Sequence, residues 1–169
     1  DAAGGSSAGP GAESALFLMA DEPARDIFLH AIGWVRNGVK EPRPGDWELV
    51  ESELELVPEM APALQGLEGF SHVIVLFWMH GVPQELRGPG QLHPGNRQDL
   101  PLMGAFATRT QLRPNPIGMA VVPLLSVNGA RLRVRGLDAI DGTPVLDIKP
   151  YLPPYDAPKD VRMPPWVWG

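Results

Sequence analysis

Short stretches of alternating apolar and polar residues, separated by turn-forming ones, organise this chain. Residues 51–57 (ESELELV) alternate, so Leu54 and Leu56 face a core while Glu53 and Glu55 face out. Residues 131–137 (RLRVRGL) repeat the pattern with Leu132 and Val134 inward. Residues 71–80 (SHVIVLFWMH) are β-branched and aromatic and apolar on both faces, which predicts a buried central strand. Further strands are predicted over residues 27–36, 104–108, 117–127 and 145–148, with a bulge or edge position at Pro123. Asn128-Gly129 signals a hairpin. Residues 62–67 suit one helical turn. The expected core is Val73, Val75, Phe77, Val121, Leu132 and Val134. Six or seven short strands predict a mainly β fold: a single small β-barrel-like or sandwich domain with few short helices.

Composition divides the chain further. Residues 1–13 are rich in Gly, Ala and Ser, so residues 1–25 are expected to form a flexible tail ahead of a domain over 26–169. Residues 81–101 hold many Gly and Pro and no periodicity, which predicts a long loop of the functional or mobile kind. The chain has 20 prolines and 19 glycines, as many short elements joined by turns require. It has no cysteine, which excludes disulfides, Cys-based zinc sites and thiol catalysis. The longest apolar run, residues 73–79, is far below the roughly 20 residues of a membrane span. A soluble cytoplasmic protein with no membrane partner is expected. Net charge is −6, but unevenly spread: residues 1–86 carry 4 basic and 14 acidic side chains, residues 87–169 carry 10 and 6. A nucleic-acid surface would therefore lie on the second half, with Arg97, Arg113, Arg131, Arg133 and Lys159 as phosphate contacts. The competing reading makes Arg131, Arg133 and Arg135 the wet face of a strand.

No Gly-x-Gly-x-x-Gly, phosphate-binding loop or His-Glu-x-x-His sequence occurs, so pattern alone names no cofactor. His72 and His80, eight apart on one strand, lie roughly 26 Å from one another and cannot share a metal; no metal site is expected. Asp138, Asp141 and Asp147 cluster in sequence with Lys149 and Tyr151, either as a polar site at strand ends or as turn chemistry. Arg109 and Arg113 flank a proline-stiffened loop that could clamp a carboxylate or phosphate.

Four blocks carry a resemblance. They are residues 66–72 (GLEGFSH), 104–109 (GAFATR), 113–118 (RPNPIG), and Leu137-Asp138 followed by residues 141–151 (DGTPVLDIKPY). In this order they resemble the signature of the TsaA-like (TrmO-type) family of S-adenosylmethionine-dependent tRNA methyltransferases. The resemblance implies a mostly β, barrel-like domain, usually homodimeric, that binds S-adenosyl-L-methionine and methylates N6-threonylcarbamoyladenosine in the tRNA anticodon loop. Carried over by motif, the cofactor contacts are Arg109, Met119, Arg135, Gly136, Leu137, Asp138, Met79 and His80, with Pro42 and Arg43 from an early loop. That loop reads Pro-Arg-Pro at residues 42–44 where the family has Pro-Arg-Gln. Arg113, Asn115, Lys149 and Tyr151 are the expected substrate contacts. An extra C-terminal region of longer members is expected to have no counterpart here.

A carbamoylated N6 has its lone pair delocalised and must lose a proton to attack a methyl group, so a general base is required. Asp138, Asp147 and His80 are the candidates. An unpaired anticodon-loop base needs an aromatic surface to stack on, and Trp34, Trp47 and Trp78 are available. The alternative function is a protein that binds the cofactor but acts on another substrate or senses the cofactor.

Overall fold

A computed structural model describes residues 26–88 and 90–168; the expected tail over 1–25 lies outside the described residues. Six antiparallel strands close into a barrel. In chain order the strands are β1 (Gly33–Arg36), β2 (Glu51–Leu56), β3 (His72–Trp78), the two-residue β4 (Gln91–Leu92) and β5 (Met103–Gly104), β6 (Ile117–Asn128), β7 (Arg131–Arg135) and β8 (Pro144–Pro150). The barrel order is β1-β2-β7-β6-β3-β8, while β4 and β5 pair only with each other. A 3-10 helix over Pro58–Leu64 and a second over Leu67–Gly69 join β2 to β3. One short α-helix, Pro153–Asp156, follows β8.

The two-residue period of each strand fills the barrel from one face. Val35, Leu54, Leu56, Val73, Val75, Phe77, Val122, Leu132, Val134 and Val145 are all buried inside. Val121, an expected core residue, points out and is 46% exposed; its neighbour Val122 is the buried one. The register decides this, since Val122 pairs with inward Val73 and Val121 with outward Ile74. The strand expected over 104–108 is also corrected. Only Met103–Gly104 is extended, and Ala105–Ala107 turns as a 3-10 helix with the Thr108 hydroxyl donating to the Ala105 carbonyl at 2.9 Å. Likewise residues 27–32 precede β1 rather than belong to it. Pro123 stands where β6 leaves β3 for β7, and the bulge falls next to it, between Leu124 and Ser126.

Packing inside the narrow barrel is tight at the Phe77–Gly118 pair. A Cβ on Gly118 would sit 2.3 Å from the Phe77 ring. We expect Gly118→Ala to destabilise the fold by about 1–3 kcal/mol through overpacking. Urea unfolding would show this as a lower midpoint, and Phe77→Leu in the same chain should recover part of the loss. An unchanged midpoint for Gly118→Ala would contradict it.

On the outside, one side of the barrel is charged and the other apolar. Arg131 reaches Glu53 at 3.1 Å and Glu55 at 3.9 Å, Arg133 pairs with Glu51, Arg135 reaches Glu51 at 3.3 Å, and Arg36 reaches Glu55 at 3.9 Å. Cross-strand register puts these opposite charges face to face. The positive half of the sequence is therefore neutralised here by the acidic half, and Arg131 and Arg133 are not a free phosphate-binding surface. Among the described residues no helix is long and apolar enough to cross a membrane.

Candidate active site at the barrel mouth

Because all six strands are antiparallel, the ends of β1, β3 and β7 and the starts of β2, β6 and β8 share one mouth. Three loops rise from it: residues 37–50, 79–116 and 136–143. They enclose a cleft of about 1700 Å³. Phe77, Gly118, Val82, Ala139 and Thr143 are its buried lining. The opposite end of the barrel carries the β2–β3 connection and the Asn128-Gly129 hairpin, which forms as expected with Gly129 at φ 60°.

Each loop is pinned. The Asn37 side-chain amide donates to the Ala139 carbonyl and the Ser52 hydroxyl, both at 2.9 Å. Its backbone N–H donates to Asp141 Oδ1 at 2.9 Å. Lys40 Nζ lies 2.6 Å from Asp141 Oδ2. The Lys40 ammonium, followed by the Asn37 amide, holds the Asp141 carboxyl below the ordinary carboxylate range. Asp141 is thus turn chemistry, and it tethers the segment that carries Asp138. In the first loop the Arg43 guanidinium lies 5.2 Å from the Trp47 ring centroid, and Trp47 Nε1 donates to the Arg43 carbonyl at 3.1 Å.

Of the residues expected in the site, Pro42, Arg43, Met79, His80, Arg109, Arg113, Asn115, Met119 and Asp138 all line this cleft. Asp138 reaches solvent, yet burial by its surroundings raises its carboxyl above the usual range, opposed by its own backbone N–H. Among the described residues Arg109 makes no ion pair or side-chain hydrogen bond, so its guanidinium is open to a ligand. Other expected residues lie elsewhere. Arg135 points outward onto Glu51. Gly136 turns with φ 84°, and Leu137 is fully buried in the core, so neither presents a side chain to the cleft. Asp147 sits on the outer face of β8, 2.7 Å from Lys149 Nζ. Tyr151 packs edge-on against His72, with its N–H donating to the His72 carbonyl at 3.1 Å, at the far end of the barrel. The strand period explains the split, because a sequence cluster spanning a turn and a strand is dealt to different faces.

Sequence patterning passed over Trp166, which lines the cleft, and Asn37, which ties two of its loops together. Asn37-Gly38 looks like an ordinary turn pair, and Trp166 looks like part of a proline-rich tail. Of the indoles proposed for stacking, Trp47 lines the cleft and Trp34 and Trp78 do not; Trp166 lines it instead. No group of three or more acidic or histidine side chains is placed to hold a metal among the described residues.

A closed barrel with one large mouth, walled by aromatic and thioether side chains and rimmed by an open guanidinium and a carboxyl raised by partial burial, defines a β-barrel small-molecule-binding protein. Residues 36–157 match the tRNA-methyltransferase O N-terminal domain. The chain belongs to that family. It is 41% identical over 136 residues to a "probable S-adenosyl-L-methionine-binding protein" of Methanothermobacter thermautotrophicus, covering 78% of this chain and 95% of the relative. It is 42% identical over 135 residues to the tRNA (adenine(37)-N6)-methyltransferase of Escherichia coli, covering 72% of this chain and 56% of that enzyme. A crystal structure of TrmO from Pseudomonas aeruginosa superposes with a TM-score of 0.64 at 38% identity, over 81% of this chain and 61% of that one. The chain thus spans about three fifths of the TrmO structures and nearly all of the shorter archaeal relative.

Proposed function

We propose that this chain binds S-adenosyl-L-methionine in the barrel-mouth cleft and transfers its methyl group to N6 of an adenosine, threonylcarbamoylated in the family's known substrate, in the tRNA anticodon loop. One observation carries the reading: Arg43, Met79, His80, Arg109 and Asp138 converge from three separate loops on one cleft that Met119 of β6 also lines. The donor set fits the cofactor. Open Arg109 suits a carboxylate. Phe77, Met79 and Met119 suit an apolar, polarisable group. The cleft exceeds the roughly 300–1,000 Å³ of a single small-molecule site, which leaves room for an acceptor.

When bound, the cofactor supplies an electrophilic methyl group on a sulfonium sulfur. The protein's part is to hold the acceptor in line and take its proton. Asp138 is the nominated base, because it faces the cleft and desolvation makes its carboxylate a stronger proton acceptor. Asp147 faces away, beside Lys149. His80 stands at the rim as the second candidate. Arg113 and Asn115 line the cleft, whereas Lys149 and Tyr151 are outside it. A tRNA acceptor would place the activity in the cytoplasm. Calorimetry with the cofactor and its demethylated product tests the first half of the reading. Mass spectrometry of tRNA nucleosides from cells with and without the protein tests the second. No heat at millimolar ligand, or no change in methylated adenosine, would refute the corresponding half.

The second reading is a cofactor-binding protein with another substrate. The pairing of Arg131 and Arg133 with Glu53 and Glu51, and of Arg97 with Asp99, favours it, since it neutralises three of the five cations expected to meet tRNA phosphates. Absence of any salt-dependent tRNA affinity in a protein that binds cofactor would select this reading.

The assembly we propose is a homodimer closed through the apolar outer face of β3 and β6. Ile117, Met119, Val121 and Leu125 are each 37–46% exposed there, with Ile74 and Leu76 half-buried beside them. Met119 also lines the cleft, which would set the cofactor site at the subunit boundary. Light scattering should give twice the chain mass at micromolar concentration, and Val121→Asp should give the monomer. A wild-type monomer would sink the assembly.

A further inference from the structure

We propose that Arg113 is a positioning residue: its guanidinium holds the turn on either side of Arg109 in the shape that presents Arg109 to the cleft. The proposal rests on the reading that Arg109 binds the cofactor. Arg113 Nη1 donates to the carbonyl of Thr108 at 3.4 Å and to that of Thr110 at 3.0 Å, the two residues flanking Arg109. Its Cζ lies 6.0 Å from the centroid of the Phe106 ring, one turn earlier in the same loop. The Thr108 hydroxyl donates to the Ala105 carbonyl at 2.9 Å and accepts from the Thr110 N–H at 3.3 Å. The Thr110 hydroxyl accepts from the Leu112 N–H at 3.1 Å. The buried Pro116 ties the end of this segment to the barrel, its carbonyl accepting the Met79 N–H at 2.8 Å. No strand ladder holds residues 105–116. Arg113 is the one charged side chain that reaches across the segment.

The two arginines therefore divide the work that the sequence allowed to either. Both N–H groups of Arg113 Nη1 are engaged by carbonyls, and the side chain is half-buried. Arg109 makes no hydrogen bond among the described residues and offers its whole guanidinium to a carboxylate or phosphate, whereas Arg113 has Nη1 committed to the turn. Lysine is a poor replacement for Arg113, because an ammonium has no plane to lay against the Phe106 ring while it donates to the two carbonyls. Without Arg113 the turn must be ordered at each binding event, and that cost falls on ligand affinity.

A double-mutant cycle read by calorimetry with S-adenosylhomocysteine tests this. Arg109→Ala and Arg113→Ala should each weaken binding, by about ten- to hundredfold. The double variant should be no weaker than Arg109→Ala, since Arg113 acts only through Arg109. Arg113→Lys should fail to restore affinity. The salt dependence of tRNA affinity should keep its slope in Arg113→Ala, where loss of a phosphate contact would reduce it by about one. Thermal unfolding checks that each variant is folded, and Arg113→Gln carries the same cycle if Arg113→Ala unfolds. Losses that add in the double variant, an Arg113→Ala that binds like wild type, or a reduced salt slope would overturn the proposal while leaving the site reading intact. An Arg109→Ala variant that binds like wild type would overturn both.

Discussion

If Asp138 is the general base, Asp138→Asn should lower methyl transfer on the order of 10²- to 10⁴-fold, the usual contribution of a positioned base. Asn fills nearly the same space and keeps the loop, which is held by Asn37 through Ala139 and Asp141 and not by the Asp138 side chain. The loss should fall on kcat, with affinity for both the sulfonium cofactor and its neutral product nearly unchanged. Selective loss of affinity for the sulfonium form would instead make Asp138 a counter-ion, and an unchanged kcat would transfer the base role to His80. The pH dependence has a definite sign. Burial raises the Asp138 carboxyl, so wild-type activity should fall as pH drops through that raised value, at higher pH than an ordinary Asp would give. Stability runs the other way. Between the ordinary and the raised value the folded chain holds more protons than the unfolded one, so stability declines as pH rises through that window. Asp138→Asn should remove that decline, and thermal unfolding across the window checks it.

Trp166→Ala should raise KM for tRNA by roughly 5- to 150-fold, which corresponds to about 1–3 kcal/mol for one base stacked on an aromatic ring. Trp166 is half-buried at the cleft, while its neighbours Val161, Met163 and Val167 are exposed. An indole at the edge of a wet cleft presents a flat apolar face that an unpaired base can cover. Trp47 shares the cleft but is already stacked with Arg43 and hydrogen-bonded through Nε1, so it is less free to meet a base. Trp166→Phe should retain most of the affinity, because a ring face remains. Cofactor affinity should not change in either variant. If Trp166→Ala instead weakens S-adenosylhomocysteine binding and leaves KM for tRNA alone, the indole stacks on the cofactor and the acceptor assignment fails.

Local periodicity by itself determines much of this fold. Alternation at residues 51–57 and 131–137 placed Leu54, Leu56, Leu132 and Val134 inside, because a strand deals its side chains to two faces whatever its partners are. Asn128-Gly129 marked the hairpin, since turn geometry is local. The ordered signature blocks also named residues that do converge at the mouth: Met79, His80, Arg109, Met119 and Asp138. Register was not local. Residues 117–127 are apolar on both faces, so nothing in them distinguishes Val121 from Val122 until β6 pairs with β3.

Only the tertiary structure decided what each charge does. Arg131, Arg133 and Arg135 read as positive surface in the sequence, because Glu51, Glu53 and Glu55 are some 80 residues away along the chain. Barrel closure brings the two sets face to face. The same closure separates Asp138 from Asp147, nine residues apart in sequence but on different surfaces. It joins Asn37 to Ala139, a contact across 102 residues. Sequence determined which residues could be inside and which motifs were present. The pairing of strands far apart in the chain determined which charges are neutralised and which carboxyl is left facing the cleft, because electrostatics depends on separation in space and not along the chain.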